Sequence, residues 1–271
     1  MTVTRVILRE AYLALGLVSI LLGSMWVATG SFPPMVVVES GSMMHDDDGS
    51  VGAIDPGDLV LVMNPDRKSV ITFVEAMQEG NENYGHQSHG MPGDVIVYKK
   101  NGGTDTPVIH RALLKAVSND SGGWDVPGTP LVNVTSIDWT LDYQCSYHGG
   151  FYNLEIKDWT PPHEGYLTTG DNEDTNGCDI DQRIATGGNP MQGLKDESGN
   201  PVTAVKDEWI VGVASSEIPW IGAAKLILSP DPGASQVTDK TWTSLAMVIA
   251  MIFIAPMAIE FISGNPSREE E

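Results

Sequence analysis

Two long uncharged stretches stand near the ends of this chain, and between them apolar residues come only in short runs. The first stretch, Ala11 to Val38, has Leu-Ala-Leu-Gly-Leu-Val-Ser-Ile-Leu-Leu at its heart. About 20 helical residues cross a hydrocarbon core, so it predicts a membrane helix with residues to spare. The second, Thr241 to Ile259, contains Leu-Ala-Met-Val-Ile-Ala-Met-Ile-Phe-Ile-Ala and has the same reach. Trp242 suits an interfacial anchor, and Pro256 is tolerable near a membrane-helix end. Arg5 and Arg9 before the first stretch, with acidic residues after it, predict a cytoplasmic N-terminus. Residues 1–38 are then the N-terminus and first span, 39–240 an external domain, 241–259 the second span and 260–271 a cytoplasmic tail. The competing expectation is a cleavable signal peptide, with Ala28-Thr29-Gly30-Ser31 as small residues near a cut. Against it, the apolar character runs on to Val38.

Between the stretches the pattern is that of strands and turns. Leu59-Val60-Leu61-Val62 follows Asp55-Pro56-Gly57-Asp58, and Val95-Ile96-Val97-Tyr98 follows Pro92-Gly93-Asp94. Each is a short β-branched or apolar run introduced by turn residues. Val108 to Leu114 joins the preceding strand through Asn101-Gly102-Gly103, which predicts a hairpin. Gly165–Thr169 and Glu208–Ala214 are further strands, and one internal helix is expected around Ile71 to Gln78. The fold class is therefore mainly β: an antiparallel β-rich domain flanked by one N-terminal and one C-terminal transmembrane helix. Insertions near 80–92 and 118–152, rich in Gly, Asn, His, Asp and aromatics, read as surface excursions. The apolar segment Ile218 to Leu228 is too short to cross; it lies at the bilayer surface or forms a last core segment.

Composition narrows the partners. A formal net charge of −21 on 271 residues repels phosphate backbones, so no nucleic acid is expected to bind. Two cysteines, Cys145 and Cys178, are too few for a disulfide scaffold and lack CxxC spacing. Outside the cytoplasm they can pair; otherwise they are small buried hydrophobes. Asn119-Asp120-Ser121 and Asn133-Val134-Thr135 are sequons, usable only outside the cytoplasm.

Candidate chemistry starts where the first stretch ends, at Glu39-Ser40-Gly41-Ser42-Met43. A serine hydroxyl is neutral near pH 7 and needs a base and oxyanion donors to act as a nucleophile. Six histidines, at 45, 86, 89, 110, 148 and 163, all lie between the stretches. His110 stands in an apolar strand, a setting that equally suits a satisfied core histidine. His45, three residues after Ser42 in a polar acidic turn, is a rival base. His86 and His89 have the spacing of a metal pair but no obvious third ligand, so neither metal nor organic cofactor is expected.

Ser40-Gly41-Ser42-Met43, then Gly93-Asp94-Val95-Ile96-Val97-Tyr98 with Val108-Ile109-His110-Arg111-Ala112, then Thr169-Gly170-Asp171-Asn172, then Ile218-Pro219-Trp220-Ile221-Gly222, occur in that order. Together they resemble the boxes of type I signal peptidases, in the archaeal and endoplasmic-reticulum branch that uses histidine where most bacterial enzymes use lysine. The resemblance covers most of residues 11 to 230. It implies Ser42 as nucleophile, His110 as general base, and Ser40 with the Ser42 N–H as oxyanion donors. It also implies acidic residues in and after the Gly-Asp-Asn box: Asp171 matches the first, and Asp181 best fits the second, with Asp179 as runner-up. Glu173 and Asp174 read as solvated loop carboxylates. Two departures are the longer spacing after Asn172 and His45 where relatives commonly carry proline. The implied activity is removal of signal peptides from preproteins by a multi-pass plasma-membrane serine endopeptidase whose catalytic domain is external, in contact with lipid and near the translocon. The other expectations are a membrane-anchored surface binding protein and an inactive member of the same fold.

Overall fold

The computed structural model describes residues 3–145, 151–176, 178–228 and 236–263. It opens on an apolar helix, α1 (Val3–Thr29), followed by β1 (Met35–Val37), β2 (Leu59–Met63), α2 (Phe73–Met77), β3 (Gln87–Ser88), β4 (Met91–Pro92) and β5 (Val95–Tyr98). Then come β6 (Val108–Ser118), β7 (Trp124–Asp125), β8 (Ile137–Gln144), β9 (Phe151–Trp159), β10 (Gly165–Thr169) and α3 (Glu173–Asn176). The chain continues through β11 (Ile210–Ile218), α4 (Ala223–Leu228) and α5 (Asp239–Ser263).

The main sheet is antiparallel, in the order β1-β2-β11-β5-β6-β10, with β7 paired to the far end of β6. In β2, Val60 and Val62 are buried while Leu59, Leu61 and Met63 are partly exposed, the period-2 pattern of a strand covered on one face. All four residues of β5 are buried, as expected of a central strand covered on both faces. Gly93, at the turn into β5, adopts φ +78°, and a Cβ there would lie 2.6 Å from the Phe73 backbone nitrogen. Only glycine meets both demands. The expected internal helix is one short turn, α2, capped by Thr72 and Glu75 in a reciprocal capping box.

Two expectations are corrected. The apolar run to Val38 is not one helix: α1 ends at Thr29, and Met35–Val37 instead pairs with β2, Val36 opposite Val60. Pro33 and Pro34 stand between the two elements, and proline supplies no N–H to continue a helix. Nor is 118–152 a surface excursion. Its residues 137–144 pair with β9, and Ile137, Leu141 and Tyr143 join Leu154, Ile156 and Trp159 in the largest apolar cluster, against Leu113, Leu114 and Leu167 of the main sheet. Burying each of those aliphatic side chains stabilises the fold by about 1.5–3 kcal/mol, which outweighs the turn-rich composition around them.

The α1 segment Arg5–Thr29 is long and apolar enough to cross a membrane, and its apolar side chains from Val6 to Val27 are largely exposed; a signal sequence fits the same description. Along the 25-residue α5, Met251, Ile252, Phe253 and Ile254 are exposed. The short helix α4 buries Ala223 and Leu226 against Val237 and Leu245, while Ile221 and Ile227 stay exposed. Cys145 and Cys178 are joined as a disulfide across 33 residues, tying the end of β8 to the loop after α3. The tail 264–271 and His148 lie outside the described residues.

Candidate active site

Alternation along β6 gives two neighbouring residues opposite tasks, since successive side chains of a strand face opposite sides. His110 faces a cavity of about 1010 Å³, whereas Arg111 is fully buried on the other side. Ser40, Ser42, Asp179 and Asp181 line the same cavity, with apolar walls from β1 and β6 that include Val36 and Val108.

Asp181 is fixed before it meets the imidazole. Its backbone N–H donates to Thr168 O at 2.9 Å, and its carbonyl accepts from Leu194 N at 3.0 Å. Its Oδ2 accepts from Thr168 Oγ1 at 2.7 Å and Tyr98 Oη at 3.2 Å, and lies 2.7 Å from His110 Nδ1. A carboxylate only accepts, so Nδ1 carries the hydrogen and the neutral ring keeps its lone pair on Nε2. Gln182 brackets the same threonine, accepting from Thr168 N at 3.0 Å and donating to Thr168 Oγ1 at 3.2 Å. Tyr98 is buried, and that burial, with the neighbouring Asp181 charge, pushes its hydroxyl well above the usual phenol range, so it acts as a donor. Of the two acids left open by the sequence, Asp181 meets the histidine. Asp179 pairs instead with Arg183, 2.6 Å away, at the cavity rim.

The turn that carries Ser42 is held through its backbone. Gly41 O accepts from Asn172 Nδ2 at 2.7 Å and from Met44 N at 3.1 Å, and Ser42 O accepts from Asn172 N at 3.1 Å. In a planar trans peptide the C=O and N–H point in opposite directions. With Gly41 O pinned toward Asn172, the Ser42 N–H is turned away from it, and it donates to no described residue. This is the geometry of an available oxyanion donor. Ser42 Oγ lies 3.4 Å from Ser40 Oγ, and no hydrogen bond among the described residues joins it to His110.

Asp171 is not brought to His110. It is fully buried beside Arg111, accepting from Nε at 3.0 Å and Nη2 at 2.6 Å, from Tyr143 Oη at 2.6 Å, and lying 3.0 Å from His45 Nε2. Burial alone would raise its carboxyl. The Arg111 charge and the hydrogen bonds from His45 and Arg111 outweigh that and hold it well below the usual carboxylate range. His45 is thereby a partner of this buried acid rather than a rival base, and it does not line the cavity.

The other described histidines go to separate partners: His86 Nε2 lies 2.9 Å from Asp94, His89 Nδ1 lies 2.9 Å from Ser88 Oγ, and His163 Nδ1 lies 2.7 Å from Glu164 O. Burial, helped by the Arg111 charge, lowers His89 to about 4. No described trio of His, Cys, Asp or Glu is arranged to hold a metal ion.

No protein-family model, curated protein or solved structure matches the chain. What bears on function is therefore the arrangement of side chains. Sequence reasoning singles out Ser40, Ser42, His110, Asp171 and Asp181, and all but Asp171 share the cavity. It gives no role to Tyr98, Thr168 and Gln182 around Asp181, nor to Asn172, although all four stand in or beside the boxes. The signal for Asn172 is its place in the Gly-Asp-Asn run; a buried tyrosine or threonine in a strand reads only as core.

Proposed function

We propose that this chain is a membrane-bound serine endopeptidase that removes signal peptides from secretory preproteins at the outer face of the plasma membrane. The observation that carries this reading is the His110 Nδ1–Asp181 Oδ2 contact of 2.7 Å, facing a cavity that also holds Ser42. A histidine oriented through Nδ1 by a carboxylate is a general base at Nε2. In the proposed cycle Ser42 Oγ attacks the scissile carbonyl, and Nε2 takes its proton. The Ser42 N–H and Ser40 Oγ receive the developing oxyanion. The imidazolium then protonates the leaving amine, and a water activated by the same base releases the acyl group. The Ser42–His110 hydrogen bond forms when substrate fills the cavity, since such contacts tighten in the Michaelis complex.

In this reading both α1 and α5 cross the bilayer, with their termini in the cytoplasm. The apolar cavity walls accept the small and apolar residues of a signal peptide, and β1, at the edge of the sheet, can pair with an extended substrate. The partners are preproteins, lipid and the neighbouring translocon.

Membranes carrying the protein should shorten an added preprotein, and membranes carrying Ser42→Ala should leave it whole, a loss of at least about 10⁴-fold. A whole precursor with the unaltered protein, or equal shortening by Ser42→Ala, overturns the reading. For orientation, protease added to sealed right-side-out cells should cut between residues 39 and 240 and nowhere else. Protection of that region would remove the proposed topology.

A further inference from the structure

We propose that Gln236 is a positioning residue for Ser42, so that the segment entering α5 braces the nucleophile turn as well as anchoring the chain; this rests on the peptidase reading above. Gln236 Oε1 accepts the Gly41 N–H at 2.9 Å, across 195 residues of sequence, and its side chain lines the cavity beside Ser40 and Ser42. The same junction grips the loop that follows the nucleophile. Thr238 Oγ1 donates to Asp48 O at 2.9 Å, and Lys240 Nζ donates to Gly49 O at 3.0 Å.

The consequence follows from the peptide planes. Asn172 fixes the 41–42 and 42–43 peptides through Gly41 O and Ser42 O. The 40–41 peptide is fixed by Gln236 through the Gly41 N–H. Glycine at 41 has the widest backbone freedom of any residue, so a turn clamped on one side only would swing about it. Such a swing would carry Ser40 Oγ away from the Ser42 N–H, which Asn172 still holds. With both clamps, Ser40 Oγ and the Ser42 N–H keep their relative placement at the cavity lining. Positional errors of about 1 Å at a reacting group cost on the order of 10²-fold, so one hydrogen bond at this place has leverage on rate without touching substrate affinity. Because the acceptor sits just before α5, docking of that helix and alignment of Ser42 become one event.

The test uses the full chain in detergent with a signal-peptide substrate, comparing Gln236→Ala with Gln236→Glu. A carboxylate keeps the acceptor that the Gly41 N–H needs; alanine removes it. Gln236→Ala should lower kcat by about tenfold or more with KM within about twofold, and Gln236→Glu should retain most of the rate. Hydrogen exchange at the Gly41 amide should accelerate in Gln236→Ala and stay slow in Gln236→Glu. Unchanged kcat in Gln236→Ala, a Gln236→Glu rate as low as that of alanine, or unchanged Gly41 exchange would each overturn the proposal. If the unaltered protein cleaves nothing, the peptidase reading fails, while the Gly41 exchange still decides whether Gln236 holds the turn.

Discussion

Replacing Asp181 with alanine is expected to lower kcat by about 10³–10⁴-fold, with KM little changed. The size follows from what the carboxylate does. Its Oδ2 accepts the His110 Nδ1–H at 2.7 Å, which selects the tautomer with its lone pair on Nε2 and stabilises the imidazolium formed during attack. Without it, neither the tautomer nor the ring orientation is fixed. The fold should survive, because the two hydroxyls left short of an acceptor, Tyr98 Oη and Thr168 Oγ1, lie 3.1 Å apart and can bond each other. Losing the acceptor costs about 1–3 kcal/mol. Tyr98→Phe deletes one of three donors on Oδ2 and should reduce kcat much less, by about three- to tenfold. Asp179→Ala should leave kcat near its starting value, since Asp179 serves Arg183. Steady-state kinetics on the four proteins separate these cases. Full activity in Asp181→Ala, or a large loss in Asp179→Ala, would exchange the roles of the two acids.

The contrast between these acids bears on how much of the site can be read from the chain. His110 is legible through the ordered boxes around it, since a lone imidazole in an apolar strand suits a satisfied core residue as well. Asp181 is legible only as one of two, since the loop from Glu173 to Gln182 carries four acids in ten residues, with Asp179 and Asp181 just two apart. The backbone bond from Asp181 N to Thr168 O chooses between them, a long-range pairing that no local pattern encodes. Gln236 is hidden for the same reason, 195 residues from the glycine it holds. At the level of fold, β2, β5, β6 and β10 follow the apolar runs closely, because each run is flanked by Gly, Pro or Asp. The β8–β9 hairpin escapes because its alternation, Ile137-Asp138-Trp139-Thr140-Leu141-Asp142-Tyr143, is embedded in a polar, glycine-rich stretch. Alternation there marks the buried face: Ile137, Leu141 and Tyr143 are buried while Asp138 and Asp142 are exposed.

Asp171 should prove a stability residue, and the largest stability effect in the molecule is expected on replacing it. Asp171→Ala leaves the Arg111 guanidinium, fully buried, without its counter-charge, and breaking a buried pair from one side costs about 3–5 kcal/mol. Tyr143 Oη and His45 lose the same acceptor. Removing both charges is a different experiment: Asp171→Leu with Arg111→Met leaves no uncompensated ion and should recover much of the loss. The acid dependence has a definite sign. Folding holds the Asp171 carboxyl below its ordinary value of 3.8, so between that value and the folded one the unfolded chain binds more protons than the native protein. Stability therefore rises with pH across that window and is lost as the pH falls through it, by up to about 1.4 kcal/mol per pH unit for this group. Above about pH 5 its contribution is fully present. In Asp171→Asn the contribution is gone at every pH, so the stability gap between the two proteins should be widest near neutrality and narrow as the pH drops below 4. Denaturant unfolding of both proteins in detergent from pH 7 to 3 measures that gap. A gap that stays constant, or widens in acid, would mean that the charged Asp171–Arg111 pair is not what holds this part of the core together.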